Sequence, residues 1–304
     1  MIPFRQHVVT IVAIFLALAL GMLAGSAFIQ PRLVEQLRAQ VAEQARRMGD
    51  LREEVGALRD RLANERAFND VALAHLTEGR LLGQQVVVLS LEGLEGDALD
   101  EARRALDEAG AISIALQARA AFAPTDPEAA AALAELLGEP DADPPELAAL
   151  AARALAERLA TDPRREPRDE DLLRELLAAG YLTPIDAGLT EEVLADIGGP
   201  HQVVLILAGG PTEDPPLSPE AFAVPLVERL ADLGLPVAAG EPVDSAVPFV
   251  EILRDSGRDG LVTVDDVDES RGAAALVLGL QRLILTGDGG HYGVKDGSVP
   301  LPPP

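Results

Sequence analysis

The chain has 304 residues, of which 48% are hydrophobic, enough for one or two ordinary domains with a real core after elongated helix is set aside. Cysteine is absent, which excludes a disulfide framework, a thiolate nucleophile and any Cys-ligated zinc, iron–sulfur or copper site. Net charge is -25 and unevenly spread: residues 1–82 hold 10 Arg and 9 acidic residues, leaving 15 basic and 41 acidic residues afterwards. Such a surface repels phosphate backbones and excludes nucleic-acid binding as a reading.

Residues 1–7 form a short tail, and from Val8 to Ile29 there are 22 residues without a charge. At helical rise these span roughly 33 Å, the thickness of a hydrocarbon core, and predict one transmembrane helix. A cleaved signal peptide is the competing reading, with Arg5 as its basic region and Ala24, Gly25, Ser26 and Ala27 as the cleavage site, although the run is longer than such apolar regions usually are. Arg5 precedes the span while Arg32 and Arg38 follow it, so positive charge alone sets no orientation. Gly21 and Gly25 have G-x-x-x-G spacing, which lets a second helix approach; glycine is also simply common in membrane helices.

Residues 31–76 predict a coiled coil, with Pro31 in a helix first turn. Val34, Leu37, Val41, Met48, Leu51, Val55, Leu58 and Leu62 alternate at a and d positions, with Gln44 as a polar interruption, and Glu65 and Asn69 weaken the register beyond. Arg and Glu occupy much of the remaining surface, leaving a narrow apolar seam. Such a seam fits parallel association into a homo-oligomer or with a coiled-coil partner; a lone amphipathic helix folded on its own domain is the alternative.

From residue 83 to 288 short β-branched runs alternate with Ala/Leu-rich helices, the pattern of an α/β domain with a mostly parallel, doubly wound (Rossmann- or flavodoxin-like) sheet. Val86–Leu89 and Ile112–Leu116 read as strands around a helix capped by Asp97 and ending near Gly110. A helical insert at about 126–180 carries helices at 126–138, 143–160 and 169–179. Val203–Leu207 is the clearest later strand, followed by a helix at 219–233; Val237 and Leu261–Val264 are weaker strand candidates, and a last helix runs from 271 to 285. Residues 289–304 read as a Gly/Pro-rich tail.

No motif for catalysis emerges. The LEGLEG loop after the first strand matches neither a dinucleotide fingerprint nor a P-loop, and its Glu92, Glu95 and Asp97 repel phosphate; Gly209–Gly210–Pro211 is read the same way. Asp265, Asp266, Asp268 and Glu269 follow a strand, where a solvated cap for the last helix is the better account than a hard-cation site. His7, His75, His201 and His291 lack partners at metal-ligand spacing. No catalytic, cofactor or metal residue is therefore assigned, and the chain is read as not an enzyme.

The stretches RQHVVTIVAIFLALALGMLAGS, VTVDDVDESRGAAALVLGL and GHYGVKDG resemble the actinobacterial MctB family, also called SteB, and the likeness runs over essentially the whole chain. The resemblance implies a cell-envelope protein with its soluble domain on the exported side, described as a copper transporter in copper export and homeostasis. It also implies a second role, in which the coiled coil pairs with a SteA-type partner and regulates cell-wall hydrolysis at division. Copper enters only through this resemblance. Soft ligands are limited to Met1, Met22 and Met48, in or near the membrane and coiled-coil segments, and a single spanning helix makes no pore alone.

Overall fold

A computed structural model describes residues 4–94, 96–164, 171–186 and 189–303. The chain divides into two units, residues 1–67 and 68–304. Helix α1 (Phe4–Thr77) supplies all of the first unit that is described and the first turns of the second. Pro31 lies inside this helical run, so the expected fresh helix start at that residue is corrected.

In the second unit, β1 (Gln85–Leu91), α2 (Gly96–Glu108) and β2 (Ile112–Ala118) come first. Next are α3 (Pro127–Leu136), α4 (Leu147–Ala160), α5 (Leu172–Ala178), β3 (Leu182–Pro184), α6 (Glu191–Leu194) and β4 (Val203–Leu207). The chain closes with α7 (Ala223–Asp232), β5 (Val237–Gly240), α8 (Phe249–Asp255), β6 (Leu261–Val264), α9 (Ser270–Thr286) and β7 (Gly290–Tyr292). The sheet order is β3-β2-β1-β4-β5-β6-β7. Every pairing is parallel except β2 with β3. Strand order reverses between β1 and β4, which makes the sheet doubly wound.

Strand alternation builds both cores. Val87, Leu89 and Leu91 of β1 join the apolar cluster that includes α4, α5, α7 and α8, while Val86 and Val88 join the cluster of α2 and α9. Six of the seven β1 residues are buried because both sheet faces carry helices, which explains its unbroken apolar run. Leu205 and Ile206 in β4 have no exposed surface, each contributing about 2 kcal/mol by area.

Several boundaries differ from the sequence reading. Asp97 sits within the first turn of α2, favourable to the helix dipole, and is not its cap. Asp126 does cap α3, accepting from the Glu128 and Ala129 amides. Pro144 and Pro145 open the next helix as a 3-10 turn before α4 begins at Leu147. Strand β7 lies in the stretch read as a tail and pairs with β6, so the sheet gains an edge from residues too short and glycine-rich to read as a strand.

The helical insert is pinned by one buried ion pair. Arg158 of α4, 3% exposed, donates Nη2 to Asp171 Oδ2 at 2.9 Å and Nη1 to the Ile197 carbonyl at 2.8 Å. Burial pushes the Asp171 carboxyl up, but hydrogen bonding and charge from Arg158 outweigh it and hold the group below its ordinary range. Replacing Asp171 with Ala leaves the guanidinium uncompensated; denaturant unfolding should show a loss of about 3 kcal/mol, and an unchanged midpoint would show that the pair is not structural.

Candidate functional site

Two features stand out: the exposed face of α1, and a charged cluster at the carboxyl edge of the sheet.

In the first unit, α1 contains an apolar stretch, Arg5–Gly25, long enough to cross a membrane. Val8 is exposed there, and nothing lies within 4 Å of a Cβ built on Gly21 or Gly25. Farther along, Leu37, Val41, Met48, Leu51, Val55, Leu58 and Leu62 range from 43% exposed at Val55 to 64% at Val41. The side chains of Ile29 and Val34 lie outside the described residues. An Arg47–Glu43 pair at 3.1 Å occupies helical i,i+4 spacing on the charged surface.

The second feature unites segments distant in sequence. Glu241 follows β5, Asp265 and Asp266 follow β6, and His291 and Lys295 lie in and after β7, so parallel strands deliver them to one edge. Glu241, Asp265 and Asp266 have no exposed surface. This corrects the expectation of a solvated cap: the α9 cap position is Glu269, which makes no side-chain capping bond.

Each buried acid has a cationic or amide partner. Asp265 Oδ2 meets Arg254 Nη2 at 2.7 Å, and its Oδ1 accepts from the Val294 and Lys295 amides at 2.7 and 3.1 Å. Glu241 Oε1 accepts from Lys295 Nζ at 2.8 Å and its Oε2 from the Val250 amide at 3.0 Å. Asp266 Oδ2 accepts from Arg271 Nη2 at 2.8 Å, while its Oδ1 has no partner. Asp268 Oδ1 accepts from the Val243 amide at 2.8 Å. Gly293 is required here, because at φ 130° a Cβ would overlap the Asp265 carboxylate.

Arg254 also donates Nε to Thr263 Oγ1 at 3.1 Å and Nη2 to the Tyr292 carbonyl at 3.0 Å, locking α8 to β6 and β7. Thr263 Oγ1 lies 2.9 Å from His291 Nδ1. Burial pushes the His291 imidazole below its ordinary value, with Arg254 adding to the effect. Burial pushes the Glu241 and Asp266 carboxyls up; Lys295 and Arg271 respectively oppose this.

Sequence reading singled out the aspartates but not Glu241, Arg254, Thr263 or Lys295. An acid directly after a buried strand and the chain's sole lysine were the available signals. Arg254 was hidden because α8 spans only seven residues.

At the β1–β4 switch point, where open α/β sheets commonly bind ligands, chain fills the space. A Cβ on Gly210 would press on the Gly93 carbonyl, and one on Gly93 would press on Pro216. Glu92 turns away to bind the Ala120 amide at 2.6 Å and Arg119 at 3.1 Å. Among the described residues no three His, Asp or Glu side chains converge as a metal site.

These features define a membrane protein in which an apolar N-terminal helix accompanies a doubly wound α/β domain. The chain belongs to the family described as copper transport outer membrane protein, MctB, which it matches over residues 1–303. It is similar to the Copper transporter MctB of Mycobacterium tuberculosis and to that of Mycobacterium bovis, each 25% identical over 321 residues and matched over 98% of both chains.

Because Asp266 binds its proton more tightly when folded, its contribution to stability is present below the unfolded value of 3.8 and is lost as pH rises through the raised folded value. Acidification from about pH 7 towards the unfolded value of 3.8 should therefore stabilise the native chain more than Asp266→Asn. His291, Glu241 and Asp171 titrate alike in both proteins and cancel in the difference. Urea unfolding at the two ends of that range tests this; parallel curves would contradict it.

Proposed function

We propose that the chain is a membrane-anchored, non-catalytic scaffold in copper transport, holding copies together through α1 and presenting the acidic α/β domain in the cell envelope. The observation that carries this reading is the exposed a/d stripe on α1. Seven large side chains from Leu37 to Leu62, each at least 43% exposed, recur at heptad positions. Their cost in water is removed when a second helix covers them.

The copper connection comes from the relatives' name, and the residue chemistry directs it toward an indirect or assembled role. Cys is absent, and of the methionines Met22 and Met48 lie on α1, exposed. The cluster around Asp265 offers hard carboxylates already matched by Arg254, Lys295 and backbone amides, a poor setting for a soft cation.

A second reading draws on the same stripe: the seam pairs with a SteA-type partner and the complex regulates cell-wall hydrolysis at division. The two readings differ in what the seam serves, not in where it is.

Leu51→Glu and Leu58→Glu in the full chain should each abolish association by light scattering in detergent while leaving thermal unfolding of the α/β domain unchanged. Cells carrying either variant should accumulate copper. Normal copper content with defective division would favour the second reading, and persistence of the assembly would overturn the scaffold.

A further inference from the structure

Most of the second unit's surface is hostile to self-contact. Residues 83–304 hold 41 acidic and 15 basic residues, so two copies brought together at an arbitrary face repel. One region differs. A groove of about 670 Å³ lies beside the last turn of α1, lined by Leu76, Leu278, Leu285, Leu301 and Pro302. Its charged lining residues are Arg80, Arg282 and Asp288, a basic excess in an acidic unit.

The last turns of α1 have two apolar faces. Leu73, Ala74 and Thr77 border α2 and α9 and are half-buried or buried. Phe68, Val71 and Leu76 point elsewhere, at 72%, 62% and 47% exposure, and Leu285 beside them in the groove is 74% exposed. Counting sevens from Val41 through Met48, Val55 and Leu62 reaches Asn69 and then Leu76, so the heptad phase returns at the groove after its interruption.

We propose that this groove is a contact surface for the same groove of a second copy, related by the two-fold axis of a parallel pair. In such a pair each a position faces its own counterpart, which brings Leu76 of the second copy over Leu76 and the adjoining groove. The contact is self-complementary, as a two-fold interface requires. Within the lining Arg282 pairs with Asp288 at 3.3 Å, so this contact does not set unpaired acid against acid as one elsewhere on the unit would. The groove is too small to hold two chains together alone, since stable interfaces bury roughly 800 Å² per partner; it locks domains that the seam has already brought close. The inference therefore rests on the self-association proposed above.

The absence of cysteine makes single-cysteine cross-linking unambiguous in the full-length protein. Leu58→Cys reports the seam, and Leu76→Cys and Leu285→Cys report the groove, each treated with a short bis-maleimide in detergent. The proposal expects covalent dimers at all three sites, and a loss of at least roughly tenfold in groove cross-linking when Arg282→Glu is added, with Leu58→Cys unaffected. Dimers at Leu58→Cys with none at the groove sites would overturn this inference and leave the seam intact. No dimer at any site would overturn both, and cross-linking to a different chain at the groove would replace the second copy as its occupant.

Discussion

A carboxylate removed from water must be matched by hydrogen-bond donors, and Asp265 is the residue on which that rule bears most heavily here. It has no exposed surface, and its oxygens are met by Arg254 and by the Val294 and Lys295 amides. Those donors come from α8 and from the segment after β7, so one side chain at the end of β6 fixes a helix, an edge strand and the chain beyond it. The three-residue β7 is too short to hold by its ladder alone, and the charged cluster is what makes it part of the sheet. Glu241 with Lys295 and Asp266 with Arg271 extend the arrangement on either side. Asp265 and Glu241 meet donors on both oxygens and Asp266 meets Arg271 on one, so the cluster acts as a clamp.

The first unit follows a different rule. Its apolar residues are organised by period: an apolar stretch over Arg5–Gly25, then a narrow stripe at heptad spacing. A stripe of that width suits another helix rather than a globular core. The α/β unit carries the buried core and an acidic surface, whereas α1 carries the exposed stripe on which the proposed assembly rests.

Much of this was legible from residues. The unbroken run Val86–Leu89 announces a strand covered on both faces, and the heptad spacing from Leu37 to Leu62 announces a helix whose apolar stripe is exposed. The misses have physical causes. β7 was read as tail because Gly290, His291 and Tyr292 have no strand pattern, and their pairing is imposed by Asp265 and Arg254. Asp265 and Asp266 were read as solvated because charge ordinarily means surface, and only the three-dimensional meeting with Arg254 and Arg271 makes burial tolerable. Pro31 fits a helix start by its fixed φ, whereas the helix runs through it.

The central claim is that assembly through α1, rather than a metal site in the α/β domain, is what this chain brings to copper transport. Calorimetric titration of cuprous ion into the full-length protein in detergent, with light scattering on the same sample, tests it most directly. The claim predicts an assembled species with no tight, stoichiometric copper uptake. A monomer that binds one copper ion per chain tightly would contradict it.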